Sequence, residues 1–335
     1  MRTNELKFAF IADDIRNLNE FGIFHNTTFG LMLTACEIGA RVFLTESNNL
    51  KIVNNKVIAK FDEVSLKQIL GNHIYIKDSK EHSLDSMNII FARKDPPIDS
   101  SFVSYMHMLS FVPHIRTSND SNKNTLIVNS PEGILGSNEK LYVFNLPQYL
   151  PATLITSNKE EIISFLKTHK EAVIKPIFNK GGDGVFYLNV NDLNINPIIE
   201  LSLTTYKTII IQKYLPEIIN GDKRIILLNG EPLGGIIRVP KEGEFRAHIS
   251  RGASFKPLTL SKRDIEICES LKPLLIKDGL YFTAIDIIGD YLIEVNFTCP
   301  ANLLETGEAN KKPLAKQIIN WAIEKATTNQ PVKVS

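Results

Sequence analysis

A mixed α/β chain of two or three domains is what the sequence predicts, and three observations carry that expectation. The first third alternates apolar strand runs with a helical pattern. The middle holds a glycine-rich loop with strand runs on both sides. The last third closes on two apolar runs joined by a Gly-Asp turn and carrying oxygen-bearing side chains. At 335 residues the chain is also long for a single core.

Residues 7–12 form an apolar strand that ends in Asp13-Asp14. Thr27 or Thr28 can cap a helix through Phe29, Leu31, Leu33, Ala35 and Ile38, stopped near Gly39, and residues 41–45 make the second strand of a βαβ unit. A later strand, 87–92, runs into Arg93-Lys94-Asp95-Pro96-Pro97, and the short strand 126–128 leads to the helix-opening pair Ser130-Pro131. Ligands gather at the carboxyl ends of parallel strands, so the loops after the first strand and at Arg93 are candidates for substrate contact. Taken singly, Asp13, Asp14 and Arg93 read equally well as solvated loop charges. The polar run 118–123 reads as a flexible surface loop.

The texture changes near residue 128. Asn138 can cap a helix that starts at Glu139-Lys140-Leu141-Tyr142 and ends at Pro147, which puts Lys140 in its first turn. A helix over 159–170, opened by Ser157 or Asn158, precedes a strand ending in Lys175-Pro176, then Asn179-Lys180-Gly181-Gly182-Asp183-Gly184, then a strand over 185–188. A phosphate loop of the P-loop or dinucleotide type must run from strand into helix, so both are excluded here. What remains is a flap whose backbone N–H groups lie over phosphates, or a glycine hairpin with no ligand.

A third piece begins with an apolar strand over 208–211 that runs into Gln212-Lys213-Tyr214-Leu215-Pro216, where backbone groups can meet an adenine edge. Gly221-Asp222-Lys223-Arg224 opens the strand 225–228, which turns at Asn229-Gly230 into a strand over 233–239. Arg224 and Arg238 therefore lie on paired strands. With lysines from other strands they look like an anion-stabilising set, although each alone reads as a surface cation.

In the final hairpin, Glu294 and Asn296 share a strand face. A plain two-residue loop at Gly289-Asp290 would set Asp286 opposite Ile293, whereas a three-residue loop or a bulge sets it opposite Glu294. We expect the latter. Two carboxylates and an amide oxygen are hard donors suited to Mg²⁺ beside a nucleotide triphosphate; the competing reading is a solvated polar face.

The charge balance, 38 basic against 37 acidic residues, argues against nucleic acid as a partner. Three widely spaced cysteines, Cys36, Cys268 and Cys299, imply neither a disulfide framework nor a zinc site. No run approaches the ~20 apolar residues of a membrane span, and residues 1–7 lack a signal-peptide core. A cytoplasmic protein without membrane partners is expected.

Arg93-Lys94-Asp95-Pro96-Pro97, Leu126-Ile127-Val128-Asn129 with Asn138-Glu139-Lys140-Leu141, Lys175-Pro176, Gln212, Tyr214-Leu215-Pro216, Gly221-Asp222-Lys223-Arg224, Asn229-Gly230-Glu231-Pro232, Arg238-Val239-Pro240 and Asp286-Ile287-Ile288-Gly289-Asp290 with Glu294 and Asn296 occur in this order. On these motifs the chain, from about residue 8 to residue 300, resembles bacterial glutathione synthetase, an ATP-grasp ligase. The resemblance implies a Rossmann-like pre-ATP-grasp domain followed by a two-lobed ATP-grasp domain with antiparallel sheets. Its implied divisions are a substrate domain over 1–127, a lid with the glycine loop over 128–204, and a subdomain with metal and acceptor loops over 205–328.

The activity implied is ligation of γ-glutamylcysteine and glycine through an acyl phosphate, with ATP as co-substrate and a dimeric or tetrameric assembly. Two Mg²⁺ ions, replaceable by Mn²⁺, would be held by Asp286, Glu294 and Asn296. ATP would meet Lys140, Lys175, Gly181, Gly182, Gln212, Lys213, Tyr214, Leu215 and, at the ribose, Asp222. Arg224 and Arg238 would stabilise the reacting groups, and Arg93, Arg246, His248 and Arg251 would face the other substrates. Alternatives are a related ligase using a different amine, or a catalytically silent ATP-binding protein. The chain departs from the family at three places: Asn179-Lys180-Gly181-Gly182 for Gly-Met-Gly-Gly, His248-Ile249-Ser250-Arg251-Gly252-Ala253 for Asn-Leu-Ala-Ala-Gly-Gly, and Thr298-Cys299-Pro300-Ala301 for Thr-Ser-Pro-Thr.

Overall fold

The computed structural model describes residues 3–13, 15–115 and 125–328; Asp14 and the polar run 118–123 lie outside the described residues. The described residues form three sheets. In the first, β1 (Lys7–Ile11) is central and parallel to both β2 (Arg41–Thr45) and β6 (Ile89–Ala92), with β7 (Leu126–Val128) parallel beyond β6. All but the first residue of β1 is buried, which is why it reads as an unbroken apolar run rather than an alternating one.

Helix α2 (Thr27–Glu37) joins β1 to β2 as expected, but its cap is neither threonine. Asn26 caps it, its Oδ1 accepting the Phe29 N–H at 2.9 Å, while Thr27 and Thr28 are buried in the first turn. A short helix, α1 (Glu20–His25), precedes it. Beyond β2 the sheet continues as an antiparallel excursion of β3 (Lys51–Val53), β4 (Lys56–Leu66) and β5 (Ile74–Ser83). Helices α3 (Ser100–Ser110) and α4 (Pro131–Leu135) follow, α4 capped by Ser130 with Pro131 in its first turn.

The second sheet is antiparallel, in the order β10-β9-β11-β8: β8 (Thr153–Thr156), β9 (Glu171–Pro176), β10 (Phe186–Asn189) and β11 (Ile209–Lys213). It packs on α5 (Lys159–His169) and α6 (Ile195–Tyr206) around its own core of Ile162, Leu166, Ile174, Leu188, Ile199 and Ile211. Strand β11 pairs with β8 and β9, so this sheet takes in residues beyond 204. No α-helix forms at residue 139: Asn138 Oδ1 does accept the Lys140 and Leu141 N–H groups, but only a 3₁₀ turn, Tyr142–Asn145, follows. Pro147 bars Leu146 from continuing a helix.

The third sheet orders as β14-β13-β12-β15-β16, with β12 (Asp222–Leu228), β13 (Glu231–Val239), β14 (Ser254–Pro257), β15 (Phe282–Ile288) and β16 (Tyr291–Asn296). Helices α7 (Lys262–Lys277) and α8 (Leu303–Asn310) pack on it, while α9 (Leu314–Thr328) packs on α2, α8 and the first sheet's β6 and β7. Two continuous cores link it to the first sheet. Ile225, Leu227, Ile285 and Ile287 pack with Ile90 and Ile127, while Ile226, Phe282 and Ala284 pack with Phe8 and Ile319. Two of the sheets thus share a core while the four-stranded sheet has its own. Among the described residues no helix is long and apolar enough to cross a membrane.

Asn129, 3% exposed, ties the first sheet to the third: its Nδ2 donates to the Phe282 and Phe297 carbonyls at 2.6 and 2.7 Å, and its Oδ1 accepts the Phe282 N–H at 2.7 Å. Asn129→Ala orphans one N–H and two carbonyls, each costing ~1–3 kcal/mol. We expect it to lower stability by ~3 kcal/mol or more in chemical denaturation, and loss below 1 kcal/mol would refute this role.

Candidate active site

A cavity of about 1080 Å³ opens among the three sheets, and every site residue expected from the sequence lines it: Arg93, Lys140, Lys175, Gly181, Gly182, Gln212, Lys213, Tyr214, Leu215, Asp222, Arg224, Arg238, Arg246, His248, Arg251, Asp286, Glu294 and Asn296.

The register of the final hairpin is set by a bulge. The turn at Gly289-Asp290 is a two-residue one, pairing Ile288 with Tyr291, and Ile287 faces Leu292. The register then shifts, leaving Ile293 unpaired and setting Asp286 opposite Glu294 and Ala284 opposite Asn296. The Asn296 amide lies 3.3 Å from Asp286 Oδ2. Two carboxylates and an amide oxygen on one sheet face suit Mg²⁺. Among the described residues no group of three or more His, Cys, Asp or Glu side chains is placed to hold a metal ion by itself.

Asp286 also anchors the arginines. Arg224 on β12 faces it across the sheet and grips it with both Nε and Nη2, at 2.8 and 2.6 Å. Arg238 on β13 faces Asp222 in the same way at 2.8 and 2.5 Å, and its Nη2 is 3.2 Å from Asp286 Oδ1. Burial alone would raise the Asp286 carboxyl, but the two guanidinium groups outweigh it and hold it well below the usual carboxylate range. Burial likewise opposes the Arg238 charge, and Asp222 and Asp286 more than restore it. Both oxygens of Asp222 are thus taken by Arg238. Asn302 Oδ1 accepts from both arginines, at 3.3 and 3.4 Å.

Lys140 and Lys175 enter from the other side. Lys140 Nζ donates to the Asn179 carbonyl at 2.5 Å and lies 3.4 Å from Glu294 Oε1. Lys175 Nζ donates to Gln212 Oε1 at 3.0 Å, and Gln212 Nε2 donates to Thr153 Oγ1 at 2.8 Å, which fixes the amide. Burial pushes the Lys175 ammonium down to about 8, with Glu294 opposing and Lys140 assisting. Its charge is present below about pH 8 and fades above it. If it meets ATP phosphates, KM for ATP should rise as pH climbs from 7 to 9, and Lys175→Arg should flatten that rise. A pH-independent KM in the parent protein would refute the assignment.

The glycine loop is held down by the opposite loop. Arg246 Nη1 donates to the Gly182 carbonyl at 3.0 Å, and Arg251 donates to the Gly181 carbonyl at 2.8 Å and pairs with Asp183. Lys180 reaches Asp95 at 2.5 Å, bridging the loop to the first sheet's Arg93–Pro97 segment. Gly182 has φ +75°, and a Cβ there would sit 2.9 Å from Arg246 Cδ and 3.2 Å from His248 Cδ2, so glycine permits this close approach. Burial, then Arg238 and Arg224, push His248 down to about 4, so its imidazole is neutral at pH 7.

Two contributors escaped the sequence reading. Glu139 is a backbone organiser: its Oε1 accepts the Phe297 and Thr298 N–H groups and the Thr298 hydroxyl at 2.7–2.8 Å, fixing the chain just after Asn296. Asn302 adopts φ +69°, a left-handed conformation that asparagine tolerates, to reach both arginines. Neither role has a local signal, because the partners are over sixty residues away.

Family models match both halves of the chain. "Prokaryotic glutathione synthetase, N-terminal domain" matches residues 6–134, and "Prokaryotic glutathione synthetase, ATP-grasp domain" matches residues 139–311. The chain is similar to the glutathione synthetase of Synechocystis sp., 34% identical over 326 residues covering 94% of this chain and 98% of the relative. It is 35% identical to that of Synechococcus elongatus over 335 residues, covering 97% and 100%. For Coxiella burnetii the figure is 32% over 330 residues, covering 98% and 99%. Among solved structures, the ATP-grasp ligase PsnB complexed with a precursor variant, Mg and ADP matches with TM-score 0.63 at 15% identity, over 96% of this chain and 99% of that one. D-cycloserine synthetase DcsG matches with TM-score 0.63 at 11% identity, over 94% and 99%. At such identities the structures speak for the fold, which is ATP-grasp, and the sequence matches speak for the family. On both domains and nearly its whole length, the chain belongs to the prokaryotic glutathione synthetase family.

Proposed function

We propose that the protein joins γ-glutamylcysteine to glycine, forming glutathione, ADP and phosphate. A carboxylate will not acylate an amine directly, because its leaving group would be oxide. The γ-phosphoryl of ATP is therefore transferred to the donor's C-terminal carboxylate, giving an acyl phosphate and ADP. The amine of glycine, having lost a proton, attacks the acyl carbon, and phosphate leaves as the C–N bond is completed. Arg224 and Arg238 stabilise the acyl phosphate and the tetrahedral intermediate, where negative charge concentrates.

Lys140 and Lys175 bind phosphates, and Gln212–Leu215 meet the adenine. For Asp222 the reading is an indirect one: Arg238 takes both its oxygens, so it orients that arginine as well as bordering the ribose. Asp286, Glu294 and Asn296 would hold the metal, two Mg²⁺ ions or Mn²⁺ in their place, which would supply positive charge to neutralise the β- and γ-phosphates. The glycine loop and the loop over 240–256 cover the acyl phosphate against water. We further infer a cytoplasmic homo-oligomer, dimer or tetramer, and a lid subdomain ending after β11 rather than at 204.

The observation that carries this reading is the buried pairing of Arg224 and Arg238 with Asp286, directly beside Glu294 and Asn296, within a family of glutathione synthetases. Arg251 is hydrogen-bonded to the glycine loop, which favours closure over recognition of a second acceptor carboxylate. Incubation with ATP, Mg²⁺, γ-glutamylcysteine and a panel of amines tests it. Glycine-dependent ADP release and glutathione formation are expected. Turnover with another amine alone would replace glycine as the acceptor, and no ADP release with any amine would end the ligase reading.

A further inference from the structure

An amine substrate is an ammonium at neutral pH, and it must give up a proton before its nitrogen can attack an acyl carbon. Carboxylates on the cavity wall are poorly placed to take that proton, because they are already engaged. Asp222 and Asp286 are held by Arg238 and Arg224, and Asp13 by Ser47 and Lys94. Among the described residues two imidazoles line the cavity, His25 and His248. The Nδ1 of His25 is buried, 3.8 Å from Glu305 Oε1. His248 is open.

Its ring packs against the glycine loop, since a Cβ at Gly182 would lie 3.2 Å from Cδ2 and 3.4 Å from Nε2. Among the described residues neither ring nitrogen has a hydrogen-bond partner, and neither is sealed away from the cavity that the ring lines. The charges that bear on it are those of the reaction centre: Arg238 and Arg224 favour the neutral ring, while Asp286 and Glu294 oppose them. Nearer charges are paired elsewhere, Lys180 with Asp95 and Asp183 with Arg251 on the glycine-loop side, and Arg246 with Glu244 on its own loop. Where the glutathione synthetase pattern carries asparagine, this chain carries His248. An amide cannot take up a proton, whereas a neutral imidazole can.

We propose that His248 is the general base that takes a proton from the ammonium of the incoming amine. The ring nitrogen without a hydrogen accepts the proton, and the lone pair left on the amine attacks the acyl carbon while the carbonyl π electrons move to oxygen. The C–O bond to phosphate then breaks, the amine nitrogen gives its second proton to the departing phosphate, and the amide is complete. The imidazolium returns its proton to solvent. A bound acyl phosphate offsets the positive charge of Arg224 and Arg238, so the ring becomes more basic when there is a group to be attacked. This step rests on the ligase reading.

Hydroxylamine isolates the proton transfer, because it is largely unprotonated at neutral pH and traps an acyl phosphate as the hydroxamate without a base. The test compares glycine with hydroxylamine in the full-length protein and in His248→Asn, at saturating ATP, Mg²⁺ and γ-glutamylcysteine. The substitution should lower kcat/KM for glycine ~100-fold or more, and this loss should exceed the loss with hydroxylamine by ~10-fold or more. Imidazole added to His248→Ala should restore part of the glycine turnover. In the parent protein kcat/KM for glycine should change less than ~3-fold from pH 7 to 8, where unaided attack by the free amine would rise ~10-fold. A ~10-fold rise there overturns the proposal, and that measurement stands even if the variants fold poorly. Equal losses with both nucleophiles also overturn it, assigning His248 to the acyl phosphate or to loop closure while the ligase reading survives. No product from the parent with either nucleophile would end the ligase reading and this step with it.

Discussion

Glu294→Gln should abolish ligation while leaving the fold intact. The substitution keeps the shape and one oxygen of the side chain but removes the charge that a hard cation requires. Within the protein, the Glu294 side chain is 20% exposed and its ion-pair partner is Lys140 at 3.4 Å. Lys140 retains the Asn179 carbonyl at 2.5 Å when that partner is neutralised, so no buried charge is stranded. Stability should therefore change by no more than ~0.5 kcal/mol, about 2 °C or less in Tm. Loss of a metal carboxylate at a phosphoryl-transfer site is worth several kcal/mol of transition-state stabilisation, so kcat should fall by ~10³-fold or more. ADP release at saturating ATP, followed over a Mg²⁺ titration, is the measurement. Activity like the parent's at ordinary Mg²⁺ would remove Glu294 from the metal edge.

The hairpin that carries Glu294 shows how far the sequence could be read. Its turn, its apolar flanks and the shared face of Glu294 and Asn296 are local, and local pattern is what strand periodicity encodes. Placing Asp286 opposite Glu294 needed one more assumption, an extra residue in the register, and the structure supplies it as a bulge at Ile293 on β16. Arg224 and Arg238 were legible as residents of paired strands, but that each would grip a different aspartate was not, because that choice depends on the register of three strands. The excursion β3–β5 passed unread although Val57, Ala59 and Phe61 alternate as a half-buried strand should. The helix expected after Asn138 failed because the cap signal is real but Pro147 leaves too few residues. His25 and Glu305 are 280 positions apart in the chain and meet only because α1 and α8 pack together. Such contacts have no trace in local sequence.

Asp286→Asn should be as inactive as Glu294→Gln but, unlike it, substantially destabilised. Asp286 is 5% exposed and neutralises buried guanidinium groups, Arg224 through two hydrogen bonds and Arg238 at 3.2 Å. An asparagine there turns one acceptor into a donor aimed at a donor, and it leaves Arg224 without its carboxylate. Breaking a buried pair from one side costs ~3–5 kcal/mol, on the order of 10 °C in Tm for a chain of this size. The dependence on pH separates this loss from a packing defect. The folded-state pKa of Asp286 lies below its unfolded value, so its contribution is complete above the unfolded value near 4 and is lost as pH falls through the folded one. The stability gap between parent and variant should therefore be widest at pH 6–7 and shrink towards pH 2–3, as read by thermal unfolding across that range. A gap that stays constant with pH would mean that Asp286 supports the fold by shape and not by charge. Replacing Arg224 by methionine in the same variant should recover part of the lost stability, because the stranded cation is then gone. Failure of that recovery would put the cost on Arg238 instead, which retains Asp222 at 2.5 Å.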